Sequence, residues 1–391
     1  MLKIDINSID ENYLRQLCED ACPESETLDF KRQLPSKAEH DKTEISKDIC
    51  ALANSEGGVI IYGIDEKDGV ASSICPITSE TADSALRRIA QTTDSGIEPR
   101  VPSVRTRAID VEGGYVVVIR VEASYDGPHC VRSNSNRRFV MRNGTTTTDM
   151  IYDQIRTGFT RTTALISKAR RFASLRNEEI KERRAALPLV DGALLVIHFT
   201  SLVTLAERAK VDMASLHSSG YQELIDPSNG GGTRSLNLDG LAIHDGCAPS
   251  YGYRFVFRDG SMEAVLLVGQ VREYAAQQMQ GILWGKNITQ DLRVVTRQFL
   301  KVAKLLEMNG AAILQCSLLN AEDYRLGTGN NWPDVSKPGD RGCYELPPEW
   351  IDSIDNADVD KIIAPVLHTL WQSFGRSTCP HFDGNGDYIL K

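Results

Sequence analysis

Between Glu24 and Asp65 the chain reads ESETLDFKRQLPSKAEHDKTEISKDICALANSEGGVIIYGID, which gathers acids, a lysine and paired glycines into one short stretch. Leu28 and Phe30 alternate with Asp29 and Lys31, so on a strand the apolar pair points one way and the carboxylate and ammonium the other. That charged pair is either an ion pair on an exposed strand face or part of a site that handles phosphate or metal. Further along, Arg138 and Arg142 alternate onto one face of a strand, with Arg137 at its edge, and guanidinium groups so placed suit phosphate oxygens. His129 follows Gly-Pro and is placed either to meet a phosphate or act as a general base, or to serve as a structural loop histidine. Asn54, Gly57 and Gly58 mark a close backbone approach, to a bound nucleic acid or to a strand packed tightly behind a glycine C-cap. Phe139 and Tyr62 can stack on bases, although core packing is the simpler reading for both.

The elements that must position these residues can be read from periodicity. Leu28–Lys31 is a strand, and Asp41 to Asn54 is a helix with Ile45, Ile49 and Leu52 on one face. Ser-Glu-Gly-Gly ends that helix, and Val59 to Ile64 is a second strand closed by Asp65. A helix around Ser79–Gln91 follows, then strands at 104–109, 115–121 and 138–142. The threonine run 145–148 is expected to cap a helix carrying Ile151, Ile155 and Phe159. The fold class expected is α+β: an N-terminal α+β domain over 1–160, a helical connector over 161–188 and a C-terminal α/β domain over 189–391. In the last, strands at 193–199, 236–243, 253–257, 263–268 and 311–319 accompany helices through Ile288–Leu306 and 360–374. Asn229–Thr233 and Trp332–Pro348 read as loops.

At 391 residues the chain is long enough for two or three domains, and 41% apolar with 25% charged residues is the composition of a globular protein with real cores. Nine scattered cysteines suit reduced thiols, and the N-terminal residues lack a signal-peptide pattern, so a cytoplasmic protein with no membrane partner is expected. The net charge of −9 is uneven: residues 100–186 hold 17 Lys/Arg against 9 Asp/Glu, a balance of +8, which leaves −17 for the remainder. That basic segment either binds phosphates or forms a solvated face balanced by acidic neighbours. There is no GxxxxGK[ST] and no GxSxG, so P-loop and α/β-hydrolase chemistry lack their machinery.

Taken in order, ESETLDFK, KDICALANSEGGVIIYGID, the Pro-His of DGPHCV and RRFVMRNGTTTTDM resemble the Alba-like nucleic-acid-binding domain shared with Schlafen proteins. The resemblance covers the first domain only. It implies binding of DNA or RNA, and for a subset of the family a metal-dependent endoribonuclease acting on tRNA and rRNA through three acids. On the matching positions those are Glu24, Asp29 and Asp65, with Lys31 beside them; Asp29 stands where the nuclease pattern more often has Glu. Such a trio would hold Mg²⁺ or Mn²⁺ through oxygen ligands, polarise a phosphodiester or activate water, and leave Lys31 to offset phosphate charge. The leading expectation is therefore a divalent-metal endoribonuclease for structured RNA such as tRNA, in a defence or stress role. RNA is favoured over DNA, and a homodimer would supply the second wall of a cleft. The alternative is a non-catalytic DNA-binding transcriptional regulator with a C-terminal sensing or dimerisation domain.

Overall fold

The computed structural model describes residues 6–389 apart from 37, 103, 134–135, 207–208, 210, 219–221, 223, 225–231, 275–277, 309 and 328–334. Residues 229–231 of the loop expected at Asn229–Thr233, and Trp332 at the start of the last expected loop, lie outside the described residues, and Thr233 already opens a strand. The chain divides into two units, Met1–Ala164 and Leu165–Lys391. Mixed helices and strands give both the α+β class.

In the N-terminal unit the order is α1 (Glu11–Glu19), β1 (Leu28–Lys31), α2 (Glu39–Ala53), β2 (Gly57–Tyr62), β3 (Ile64–Lys67), β4 (Val70–Ile74) and α3 (Ala82–Gly96). There follow β5 (Ile97–Glu98), β6 (Val104–Val111), β7 (Gly114–Glu122), β8 (Cys130–Ser133), β9 (Asn136–Asn143), β10 (Thr146–Asp149) and α4 (Tyr152–Lys181), of which the part up to Ala164 belongs to this unit and the rest to the C-terminal one. One sheet runs β1-β2-β7-β6, with β1 and β2 parallel and α2 as their crossover; another runs β10-β9-β8-β5. The period-two alternation of the strands divides the apolar residues between two cores. Leu28, Phe30, Val59 and Ile61 join Leu14 and Leu17 of α1, while Ile60, Tyr62, Val117 and Ile119 join Ile45, Ile49 and Leu52 of α2. Asp29 and Lys31 leave β1 on the side opposite Leu28 and Phe30, as their alternation predicts.

Two glycines explain how tightly this is assembled. A Cβ on Gly57 would lie 2.6 Å from Val121 O, and one on Gly58 would lie 2.6 Å from Thr27 O. Gly57 also has φ +73°, so only glycine lets the chain leave α2 and enter the sheet here. The threonine run departs from expectation: Thr146–Asp149 is β10, paired antiparallel to β9. Threonine is as good in a strand as at a cap, and the Asn143-Gly144 turn returns it along β9.

The C-terminal unit is built on β11 (Ala193–Ser201), α5 (Leu202–Leu205), α6 (Met213–Ser218), β12 (Thr233–Leu236), β13 (Gly240–His244), β14 (Gly252–Phe257), β15 (Met262–Tyr274), β16 (Gln278–Trp284) and α7 (Gly285–Leu305). Then come β17 (Ala312–Leu319), β18 (Arg325–Gly327), β19 (Val335–Pro338), β20 (Cys343–Glu345), β21 (Glu349–Ile351) and α8 (Val359–Ser373). Where an α/β arrangement was expected, the strands pair antiparallel except β16 with β18, so this unit too is α+β. The span expected to be loop from Trp332 holds β19 and β20. Inside this unit Glu263 is buried; it accepts from Arg176 at 2.8 and 2.9 Å and from Tyr253 Oη at 2.7 Å, with His198 Nε2 at 3.1 Å. Burial alone would push that carboxyl up, but the Arg176 and His198 hydrogen bonds outweigh it and bring it down to about 2.

Candidate functional site

On the α2 side of β1 lies a polar cluster made from three elements. Asp29 is 2% exposed, with Oδ2 2.7 Å from Lys31 Nζ and Oδ1 3.4 Å from Arg142 Nη1. Arg142 comes from β9 and is itself buried; its backbone N–H donates to Ser55 Oγ at 2.9 Å and its Nη2 donates to Ser25 O at 3.2 Å. Glu24 accepts from the Phe30 N–H at 2.8 Å, and burial, with Asp29 nearby, raises its carboxyl above the usual range. Burial pulls the Lys31 ammonium down, yet Asp29, Asp48 and Glu24 more than offset it and hold it above its ordinary value.

Asp48 is the member that sequence reasoning missed. It sits on the buried face of α2 and is nearly inaccessible; desolvation, then the charge of Asp29, lifts its carboxyl to about 6. A signal was there to find: with Ile45, Ile49 and Leu52 defining the apolar face, position 48 falls on that same face, and a carboxylate among core positions is informative.

The expected trio is not assembled as one donor set. Gly63, at φ +104°, turns the chain out of β2, so Asp65 lies in the β3–β4 hairpin and faces Arg32 at 3.6 Å. Among the described residues no group of three His, Cys, Asp or Glu side chains stands ready to hold a metal. Asp29 is already flanked by two cations, Lys31 and Arg142.

The residues expected to meet nucleic acid separate into buried and exposed. Asn54 is a staple: its Nδ2 donates to His129 O at 2.9 Å and Val140 O at 2.8 Å, and its Oδ1 accepts from His129 N at 2.8 Å. His129 is fully buried, its Nδ1 2.7 Å from Pro99 O, and burial lowers its pKa. Neither is presented to a phosphate, and nor are Gly57 and Gly58, whose role is the close strand contact. Arg142 faces inward on Asp29, because the even positions of β9 turn from solvent at Arg138 to core at Val140 and Arg142. Tyr62 is core as well.

Arg137 and Arg138 remain outside, on the hairpin of β8 and β9. Arg137 holds Glu98 at 2.7 Å and Arg138 holds Asp149 at 2.9 Å, with Arg132 at 3.9 Å from Glu98. The guanidinium side chains are 60%, 55% and 56% exposed, so these are solvent-screened pairs that a phosphate can displace.

The family model described as Schlafen, AlbA_2 matches residues 24–151. The N-terminal unit carries a Schlafen-type AlbA_2 domain. The matched span begins at Glu24 and ends beside Asp149, so it takes in both the Asp29 cluster and the arginine hairpin. Two solved structures are similar to parts of the chain. One is the DIP2311 protein from Corynebacterium diphtheriae, 19% identical with TM-score 0.25, the match covering 44% of this chain and 31% of that one. The other is the N-terminal domain of a putative ATP-dependent DNA helicase RecG-related protein from Nitrosomonas europaea, 18% identical with TM-score 0.26, covering 35% of this chain and 90% of that one. No curated protein matches. Among the described residues no helix is long and apolar enough to cross a membrane.

Proposed function

We propose that the Schlafen-type domain binds nucleic acid through the phosphate backbone, with Arg132, Arg137 and Arg138 as the contacting cations and the Asp29 cluster as the internal brace that holds β9 in place. The observation that carries this reading is the contrast in exposure: Asp29 is buried between Lys31 and Arg142, whereas the hairpin arginines stand in solvent. A phosphate displacing Glu98 or Asp149 gains a bidentate guanidinium partner, and each such pairing releases counterions. Affinity of the full chain for a labelled duplex is therefore expected to fall by about tenfold in Arg137→Ala/Arg138→Ala. The slope of log affinity against log salt should shrink by about one for each phosphate that the variant no longer neutralises. Unchanged affinity and slope would sink the reading.

A second reading is supported by the gathering of Glu24, Asp29 and Asp48 round Lys31. It is a metal-dependent endoribonuclease acting on structured RNA such as tRNA. Incubation of tRNA with the protein in Mn²⁺, in Mg²⁺ and in EDTA decides between the two. Fragments that require the metal and vanish in Glu24→Gln and Asp48→Asn would replace the binding-only reading; intact tRNA that is nonetheless bound supports it.

A further inference from the structure

The first turns of α4 present a stripe of largely exposed aromatic rings. Tyr152 is 78% exposed and Phe159 63% exposed, and Arg156 between them has a side chain 68% exposed. Positions 152, 156 and 159 are spaced i, i+4 and i+7, so ring, guanidinium and ring follow one another along one helix face. Ile151, 65% exposed, borders them.

The stripe is firmly mounted. Gly158 lets α4 lie against Pro128, where a Cβ would come to 2.9 Å. Thr162 Oγ1 donates to Tyr125 O, and the Arg161 guanidinium sits 4.3 Å from the Tyr125 ring centroid. It is also continuous with the arginine hairpin, since Phe159 meets Phe139 of β9 edge to face at 6.1 Å, one residue from Arg138. Two exposed aromatic rings with one arginine between them, Arg156, itself 3.4 Å from the exposed Asp153, next to further arginines paired with exposed carboxylates, suit a ligand that offers flat apolar faces and anionic links in alternation.

We propose that this face binds an unpaired segment of nucleic acid, with bases stacked on Tyr152 and Phe159 and the intervening phosphates on Arg156 and Arg138. The proposal rests on the phosphate-binding reading above and narrows its substrate to single strands. In a duplex the base faces are already stacked on one another, so rings on a helix surface select bases that are free. Seven residues of helix separate the two rings by about 10 Å along the axis. That is more than the roughly 3.4 Å of stacked neighbours, so the rings serve two bases that are not stacked on each other.

The test is fluorescence anisotropy of the full chain with labelled twelve-nucleotide single strands, U12 and dT12, and with a hairpin duplex of equal charge. Wild type is compared with Tyr152→Ala, Tyr152→Ala/Phe159→Ala, Tyr152→Phe and Arg137→Ala/Arg138→Ala. The expected result is a single strand bound at least about tenfold more tightly than the duplex. Removal of each ring should cost the single strand roughly tenfold and leave the duplex alone. Tyr152→Phe should keep wild-type affinity, and the U12 to dT12 ratio reports whether the sugar matters. Tyr152 is the most exposed of the group, so its truncation leaves the fold intact and a vanished preference cannot be ascribed to unfolding. Duplex binding that depends on Arg137 and Arg138, with alanines at the rings silent, would overturn this inference and keep the phosphate-binding reading. No binding of either probe by wild type would overturn both. Ring removal that converts an oligomer to a monomer in sedimentation, with binding unchanged, would make the stripe a self-association face and also overturn it.

Discussion

In the N-terminal unit two carboxylates, Asp29 and Asp48, share the cations of one cluster, whereas in the C-terminal unit Glu263 alone receives Arg176, His198 and Tyr253. Burial is deep in both, yet the carboxyls move in opposite directions: Asp48 is lifted to about 6 and Glu263 is brought down to about 2. The difference lies in who supplies the hydrogen bonds. Glu263 receives donors on both oxygens in short, charge-assisted geometry, so its charge is better housed in the fold than in water. Asp48 meets desolvation first and a neighbouring acid second, so its charge is housed worse. A carboxylate with donors on both oxygens is a lock, while a cluster with excess acid keeps a reserve of interaction that a cationic or protonated partner can take up.

The largest effect is expected from breaking the lock. Glu263→Gln strips Arg176, whose side chain is 17% exposed, of its buried counter-charge and leaves it only Glu179, 40% exposed, and removal of one partner from a buried pair costs about 3–5 kcal/mol. All four tryptophans, Trp284, Trp332, Trp350 and Trp371, belong to the C-terminal unit. Denaturant unfolding followed by tryptophan fluorescence therefore reads this unit alone. A loss under about 1 kcal/mol would mean the pair is no lock. In the N-terminal unit Arg142→Met leaves Asp29 with Lys31, whose side chain is 40% exposed. Solvent then shares the burden, and a loss of about 3 kcal/mol, at the low end for a buried pair, is expected. Hydrogen exchange of the β1 and β9 peptides would report it, and unchanged protection there would deny Arg142 its bracing role.

Much of this contrast was hidden from the sequence for physical reasons. Elements with a strong period were legible: α2, β6, β7, β11, α7, β17 and α8 lie close to where alternation and 3.6-residue spacing place them. The direction of Asp29 and Lys31 from β1 was legible too, because a strand's period fixes it. What a single strand cannot tell is which partner arrives across the fold. Arg142 lies 113 residues from Asp29, and its inward turn depends on β9 passing beneath Ser55. Residue type alone leaves Asn54 and His129 open between ligand contact and packing; in the fold the Asn54 amide satisfies three backbone groups and holds them in the core. Short strands such as β3, β8 and β18 carry too little pattern to stand out, and their existence follows from pairing partners distant in sequence.

The pH dependence sharpens the comparison at a smaller scale. Asp48 has a folded-state pKa raised from 3.8 to about 6, so the folded chain binds that proton more tightly than the unfolded chain. Its contribution is fully present below about pH 4 and is lost as pH rises through about 6, of order 2–3 kcal/mol at 1.36 kcal/mol per unit. Glu263 has the opposite sign: its folded-state pKa is lowered from 4.5 to about 2, so its contribution is present above pH 4.5 and is lost as pH falls through 2. The stability difference between Asp48→Asn and wild type, read by exchange of α2 peptides, should favour the variant at about pH 7.5 and shrink toward about pH 4.5. A difference that is flat across that range would remove Asp48 from the cluster's electrostatics.

The smallest structural effect is expected where the functional one is large. Arg137 and Arg138 hold Glu98 and Asp149 in pairs exposed on both sides, and such pairs add little to stability because water and salt screen them. Arg137→Ala/Arg138→Ala should therefore melt with wild type while losing its salt-dependent hold on nucleic acid. Arg142→Met should do the reverse at permissive temperature, losing stability first and affinity only as β9 loosens. The two variants thus separate an arginine that braces the domain from arginines that meet a ligand, although all three lie on β9. If the hairpin variant melted as early as Arg142→Met, Arg137 and Arg138 would belong with the brace, and the exposed hairpin would lose its claim to the phosphates.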